Sequence, residues 1–85
     1  MSTKYIKDKN NKIIVFSEDL MHSDFRHMEP KSAGFICFST GKMNNPVCHC
    51  YGESISLRLK SDKEDTYLAN VQIMGISPYE MEDNC

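Results

Sequence analysis

The chain has no tryptophan, three prolines, four glycines and two arginines among its 85 residues. No stretch is apolar for the length a membrane-spanning helix needs. The start, Met1-Ser2-Thr3-Lys4, lacks the apolar run of a secretory leader. A cytoplasmic location without a membrane partner is therefore expected. Formal net charge is −2 with both signs interspersed, too acidic for a general nucleic-acid binder that neutralises phosphates and too mild for an acidic mimic of DNA. There is no nucleophile elbow, P-loop or H-E-x-x-H pattern, no internal repeat and no low-complexity segment. Four cysteines without a leader read as reduced thiols rather than a disulfide framework. A domain of this length buries roughly 60–65% of its unfolded surface, which gives a thin core and no deep enclosed active site. Oligomerisation is a natural source of extra stability for such a chain.

What is present is alternation, clearest in residues 47–59. Two alternating runs meet at Gly52-Glu53, the composition of a two-residue hairpin turn with glycine first. That turn sets Tyr51 against Ser54, Cys50 against Ile55, His49 against Ser56, Cys48 against Leu57 and Val47 against Arg58. Upstream, Asn10-Asn11 reads as a turn and Ile13-Ile14-Val15-Phe16 as a strand. Ser17, followed by Glu18 and Asp19, is placed to cap a helix carrying Met21, Phe25 and Met28 on its inner side, stopped before Pro30. Ala33 to Ser39 is a further strand. Ser61 with Glu64 has the form of a capping box opening a second helix, with Tyr67, Val71 and Met74 as its buried stripe and Gly75 just past its end. The expected architecture is a small α+β domain over residues 1–75, with an antiparallel four-stranded sheet, two helices on one face and the order β-α-β-β-β-α. Residues 76–85 read as a tail or short arm.

Pairing Ser39 with Pro46 places Cys37 by Cys48 and Leu57, and Phe35 by Cys50 and Ile55, as one apolar face. The cysteines are then small core residues. A metal site at Cys48-His49-Cys50 is disfavoured because neighbouring strand residues point to opposite faces and the spacing is not C-x₂-C. Neither a metal nor a cofactor is expected, and an enzyme is not either. The other face mixes apolar and hydrogen-bonding groups: Gly34, Tyr51 and Ser54, then Ile36, His49 and Ser56, then Phe38, Val47 and Arg58. This face suits a homodimer interface or a ligand site. There Arg58 would fork onto a phosphate or carboxylate, Tyr51 or Phe38 would stack on a base, and Ser54 and Ser56 would donate to oxygens. Asp19, His22, Ser23 and Arg26 form a second polar cluster on the first helix, where His22 and Arg26 are spaced to address an anion jointly.

The segments Ile13-Ile14-Val15-Phe16-Ser17-Glu18, His22-Ser23-Asp24, Ser32-Ala33-Gly34-Phe35 and Tyr51-Gly52-Glu53-Ser54-Ile55-Ser56-Leu57 resemble small phage and prophage proteins. In shape the chain also resembles the phage sponge proteins that counter Thoeris-type defence. That resemblance implies a non-catalytic homo-oligomer that sequesters a signalling nucleotide in the host cytoplasm. Tyr51, Ser54, Ser56, Arg58, His49, His22 and Arg26 are the candidate ligand-binding residues. The alternative expectation is an anti-CRISPR-like inhibitor whose mixed face docks on a host defence protein.

Overall fold

The computed structural model describes residues 3–41 and 44–75. Four strands, β1 (Thr3–Lys7), β2 (Ile13–Ser17), β3 (Ser32–Thr40) and β4 (Pro46–Tyr51), form an antiparallel sheet in the order β2-β1-β3-β4. β1 was not anticipated, because Lys4 and Lys7 bracket its apolar Tyr5-Ile6 pair. The turn expected at Asn10-Asn11 is present. Asp8 Oδ1 accepts the N–H groups of Asn10 at 2.8 Å and Lys12 at 2.9 Å, and Asn11 takes a left-handed φ of 66°.

Adjacent strand residues face opposite ways, and both faces are covered. Tyr5, Ile13, Ile36, Cys48 and Cys50 pack with Ala69 on one side; Ile6, Phe16 and Ala33 pack with Phe25, Met28, Leu57 and Leu59 on the other. The first side is covered by α1 (Asp65–Ala69), continued by a wider π-type turn over Asn70–Met74. The second carries a 3-10 helix (His22–Met28) and a ribbon of two short strands, β5 (Glu53–Ser54) and β6 (Leu59–Lys60). The expected class, a four-stranded antiparallel sheet with two helices, holds. The helices differ from expectation in lying on opposite faces.

Several local expectations are corrected. Thr40, not Ser39, pairs with Pro46, so Cys37 faces His49 and Phe38 faces Cys48. The Gly41 N–H to Asn45 C=O bond of 2.7 Å closes the connection one residue tighter than expected, and a one-residue slip exchanges the faces of a strand. Second, β4 and β5 do not pair. Gly52, at φ 78°, turns the chain away, and β5 pairs with β6 through Glu53–Lys60 and Ser54–Leu59. Third, Ser17 ends β2 instead of capping a helix. The helix starts five residues later, where the Asp24 carboxylate accepts the Met21 N–H at 3.0 Å, and it winds with three residues per turn. That period aligns His22, Phe25 and Met28 towards the sheet and leaves Met21 outside. The expected capping box of Ser61 and Glu64 is absent: the second helix follows Glu64, whose side chain makes no capping bond, and a turn leads into it in which the Asp62 C=O accepts the Asp65 N–H at 3.0 Å and Asp65 Oδ2 accepts the Asp62 N–H at 2.9 Å. Tyr67 and Val71 are exposed, and Leu68 and Ala69 face the core. Gly75 closes the helical segment at φ 67°, as expected. The tail over 76–85 lies outside the described residues.

The C-terminal segment also treats the two sheet edges with its side-chain amides. Asn70 Oδ1 accepts the Cys48 N–H at 2.9 Å while its Nδ2 donates to the Cys48 C=O at 2.8 Å; Thr66 Oγ1 accepts the Cys50 N–H at 3.0 Å. On the far edge Gln72 accepts from Ile13 N–H and donates to Asn11 C=O, both at 2.8 Å. Covering an edge this way blocks unplanned strand pairing.

Candidate functional site

The ribbon and the start of β3 enclose an open groove of about 470 Å³ lined by Lys31, Ser32, Arg58, Leu59, Lys60, Ser61, Asp62 and Lys63. Its construction begins at Gly52, whose C=O accepts the Ser61 N–H at 2.9 Å and so brings both ends of the ribbon together. Between them the chain reverses over residues 55–58. Ser54 Oγ accepts the Leu57 N–H at 3.2 Å, and the Ile55 C=O accepts the Arg58 N–H at 3.2 Å. Arg58 closes this reversal at φ 58°, a left-handed conformation unfavourable for a residue with a side chain. Leu57 and Leu59 pack into the core beneath, so the residues between and beyond them project outward.

Four cations therefore converge, Lys31, Arg58, Lys60 and Lys63, against the single lining carboxylate of Asp62. None of the four makes an ion pair among the described residues. Glu53 stands opposite Lys60 across the ribbon, and the carboxylates of Asp62, Glu64 and Asp65 gather around a different cation. The buried Lys7 ammonium lies 2.8 Å from Glu64 Oε1, 2.9 Å from Asp65 Oδ1 and 3.5 Å from Asp62 Oδ2. Burial alone would depress that ammonium, but its bonds to Glu64 and Asp65 more than offset this and hold it above its ordinary value. Asp65 is fully buried; burial opposes its charge, yet bonds from Ser32, Tyr5 and Asp62 keep it below the usual carboxylate range. Ser32, which lines the groove, is thus fixed from behind at 2.6 Å from Asp65 Oδ2, with the Tyr5 hydroxyl at 2.5 Å from the same oxygen.

The sequence candidates are dispersed, and only Arg58 lies in the groove. Arg26 donates through Nη2 to the Ser56 C=O at 2.8 Å and ties the 3-10 helix to the ribbon turn. Ser54 is buried and holds that turn; Ser56 is exposed, its Oγ 3.3 Å from that of Ser54. His49 and Tyr51 share a face of β4, their rings nearly parallel at 6.4 Å, with Phe35 5.9 Å from Tyr51. His22 corrects the expectation of an outward polar cluster. It is buried edge-on between Phe16 and Phe35, and its Nε2 must carry the proton because its partner at 2.8 Å is the Gly34 carbonyl. The expected mixed face is not assembled, since Ile36 and Phe38 lie on the side opposite His49 and Tyr51. Lys31, Lys60 and Lys63 were missed; the basic spacing of Arg58, Lys60 and Lys63 was the available signal.

The two buried thiols of β4 are quenched. Cys48 and Cys50 are buried free thiols, pushed up by desolvation to about 11 and about 12, so they stay protonated and poorly nucleophilic at neutral pH. They face away from His49. Cys37 is disulfide-bonded, departing from the reduced state expected of it. Among the described residues no three His, Cys, Asp or Glu side chains converge as metal ligands, and no helix is long and apolar enough to cross a membrane. Comparison with protein-family models, curated proteins and solved structures finds no match to this chain.

Proposed function

We propose that this chain is a non-catalytic binding protein whose groove takes up a small, multiply charged anion of the phosphorylated-nucleotide class. One observation carries the reading: four cations with no ion pair among the described residues line one groove in a chain of net charge −2. Clustered cations over a low-dielectric wall focus potential and favour a polyanion. The groove volume falls within the range of small-molecule sites. Its lining includes no aromatic side chain, so recognition rests on the anionic groups rather than on base stacking. The protonated thiols and the saturated Lys7–Asp65 network favour holding a ligand over transforming it. Sequestration of a signalling nucleotide by a homo-oligomer, as in a phage counter-defence sponge, is the biological role this binding would serve.

Thermal-shift and calorimetric titration with a panel of mono-, di- and cyclic nucleotides, with pyrophosphate as the bare-anion control, tests the reading. A ligand at a hundredfold excess over its Kd stabilises the fold by about 2.7 kcal/mol. That gain should weaken with added salt and disappear in Arg58→Glu/Lys63→Glu. An unchanged melting temperature across the panel would refute it and transfer the case to an anti-CRISPR-like inhibitor of a host protein.

A further inference from the structure

We propose that Asp62 selects the ligand of the groove, its carboxylate taking the hydroxyls of a ribose while the surrounding cations hold the phosphates. The inference rests on the anion reading of the groove and adds the part of the ligand that carries no charge. Among the lining residues, Asp62 alone works against an anion. A carboxylate set beside Lys31, Arg58, Lys60 and Lys63 weakens the pull on any ligand made of negative charge alone. The fold does not demand a third acid at this place. Lys7, its ion-pair partner, already has Glu64 Oε1 at 2.8 Å and Asp65 Oδ1 at 2.9 Å; Asp62 Oδ2 is the most distant of the three at 3.5 Å. The Asp62 side chain stays half-exposed, and its Oδ1 has no hydrogen bond or ion pair among the described residues.

Asp62 is held by its backbone rather than by its side chain. Its N–H donates to Asp65 Oδ2 at 2.9 Å and its C=O accepts the Asp65 N–H at 3.0 Å. The residue before it is pinned as well, by the Ser61 N–H on the Gly52 C=O at 2.9 Å. A fixed backbone with a carboxylate oxygen to spare is an acceptor set in place before any ligand arrives. The chemistry of the lining then sorts ligands. Lysine and arginine side chains only donate hydrogen bonds, and a carboxylate only accepts them. Phosphate oxygens suit the four cations and offer Asp62 nothing but repulsion. Sugar hydroxyls donate, and the two carboxylate oxygens have lone pairs enough for a 2′ and a 3′ hydroxyl with Lys7 still in place. A ribose phosphate satisfies both kinds of group, whereas a bare polyphosphate satisfies one and is opposed by the other.

The test is calorimetric titration with ADP, 2′,3′-dideoxyADP and pyrophosphate in a buffer free of divalent cations, on the wild type, Asp62→Asn and Asp62→Ala. The wild type should bind ADP about tenfold or more tighter than dideoxyADP, the loss expected when a charged acceptor is left without its hydroxyl donors. In Asp62→Ala that ratio should fall to about one, while pyrophosphate gains about threefold to tenfold as the repulsion is removed. Asp62→Asn keeps an accepting oxygen and both backbone bonds to Asp65; it should show the pyrophosphate gain and keep part of the ratio. A gain of affinity is a result that a merely structural role for Asp62 does not produce, and a ligand-free melting curve of each variant confirms that it folds. Equal binding of ADP and dideoxyADP to the wild type, or a ratio that survives Asp62→Ala, would overturn this proposal and leave the anion reading standing. Failure of the wild type to bind either ADP or pyrophosphate would overturn both.

Discussion

Replacing Asp65 by asparagine probes a carboxylate placed wholly inside the fold. Asp65 and Tyr5 are fully buried, and Lys7 and Ser32 are 1% exposed. Asp65 Oδ2 collects the Tyr5 hydroxyl, the Ser32 hydroxyl and the Asp62 N–H, while Oδ1 faces the Lys7 ammonium at 2.9 Å as a charge contact outside hydrogen-bonding alignment. The amide preserves the shape and one accepting oxygen, but it turns an N–H₂ towards the ammonium and removes its buried counter-charge. Breaking one partner of a buried pair costs about 3–5 kcal/mol. Glu64 and Asp62 remain within reach of Lys7, which holds the cost to the lower end, about 3 kcal/mol. A domain of this size has about 4–13 kcal/mol in all, so the variant should fold with little margin. Urea denaturation followed by far-ultraviolet circular dichroism and tyrosine fluorescence reads the loss directly. With a slope of about 1–1.5 kcal/mol/M, the midpoint should fall by about 2–3 M. Asp62→Asn, a change at a half-exposed partner, should lose less than about 1 kcal/mol. A loss under about 1 kcal/mol for Asp65→Asn would refute the claim that this carboxylate anchors the helix to the sheet.

Arg58→Gly should move stability and binding in opposite directions: relief of the left-handed φ gains about 1 kcal/mol in denaturation, while calorimetric affinity for the anion falls. Asn70→Ala should cost about 2–3 kcal/mol by leaving the backbone groups of Cys48 unmatched, and light scattering should show more self-association through the uncovered β4 edge. Gly34→Ala drives a Cβ into the Tyr51 carbonyl oxygen and the Gly52 backbone; a melting-temperature loss corresponding to about 1–3 kcal/mol is expected. The pH profile should be two-sided. Asp65 is held below its unfolded value, so its contribution is present above about pH 4 and is lost as pH falls through its lowered folded value. Cys48, Cys50, Tyr5 and Lys7 are held above theirs. Their contributions are full below pH 9 and decline as pH rises, the thiols first and then Tyr5 and Lys7. A denaturation midpoint that is flat from pH 9 to 11 would contradict this assignment.

Strand periodicity and turn chemistry were legible in the sequence, which is why the β2 and β3 regions, the Asn10-Asn11 turn and the Gly75 terminus were placed correctly. The register between β3 and β4 was not. It depends on which residue closes a short loop, a matter of a single hydrogen bond at Gly41 that no hydrophobic pattern encodes. The pairing of β4 with residues 54–58 failed for a related reason. Glycine at 52 permits a tight hairpin, but Leu57 and Leu59 find more burial across the face of the sheet than along its edge. Three residues per turn instead of 3.6 moved His22 from the solvent side to the core. Arg58 was recognised as an anion group from its chemistry, whereas Lys31 joined it only through the fold, about thirty residues away in the chain. The Lys7–Asp65 pair was invisible because its members look like surface charges until β1 and α1 are brought together.

The amides of Asn70 and Gln72 give the C-terminal segment a timing as well as a place. Each reads two backbone groups at a fixed spacing, and Asn70 finds its pair on one outermost strand while Gln72 finds its pair on the other. The distance between the two pairs is set by the four aligned strands, so the segment can engage both only after the sheet has assembled. It then acts as a lock on the completed width of the sheet.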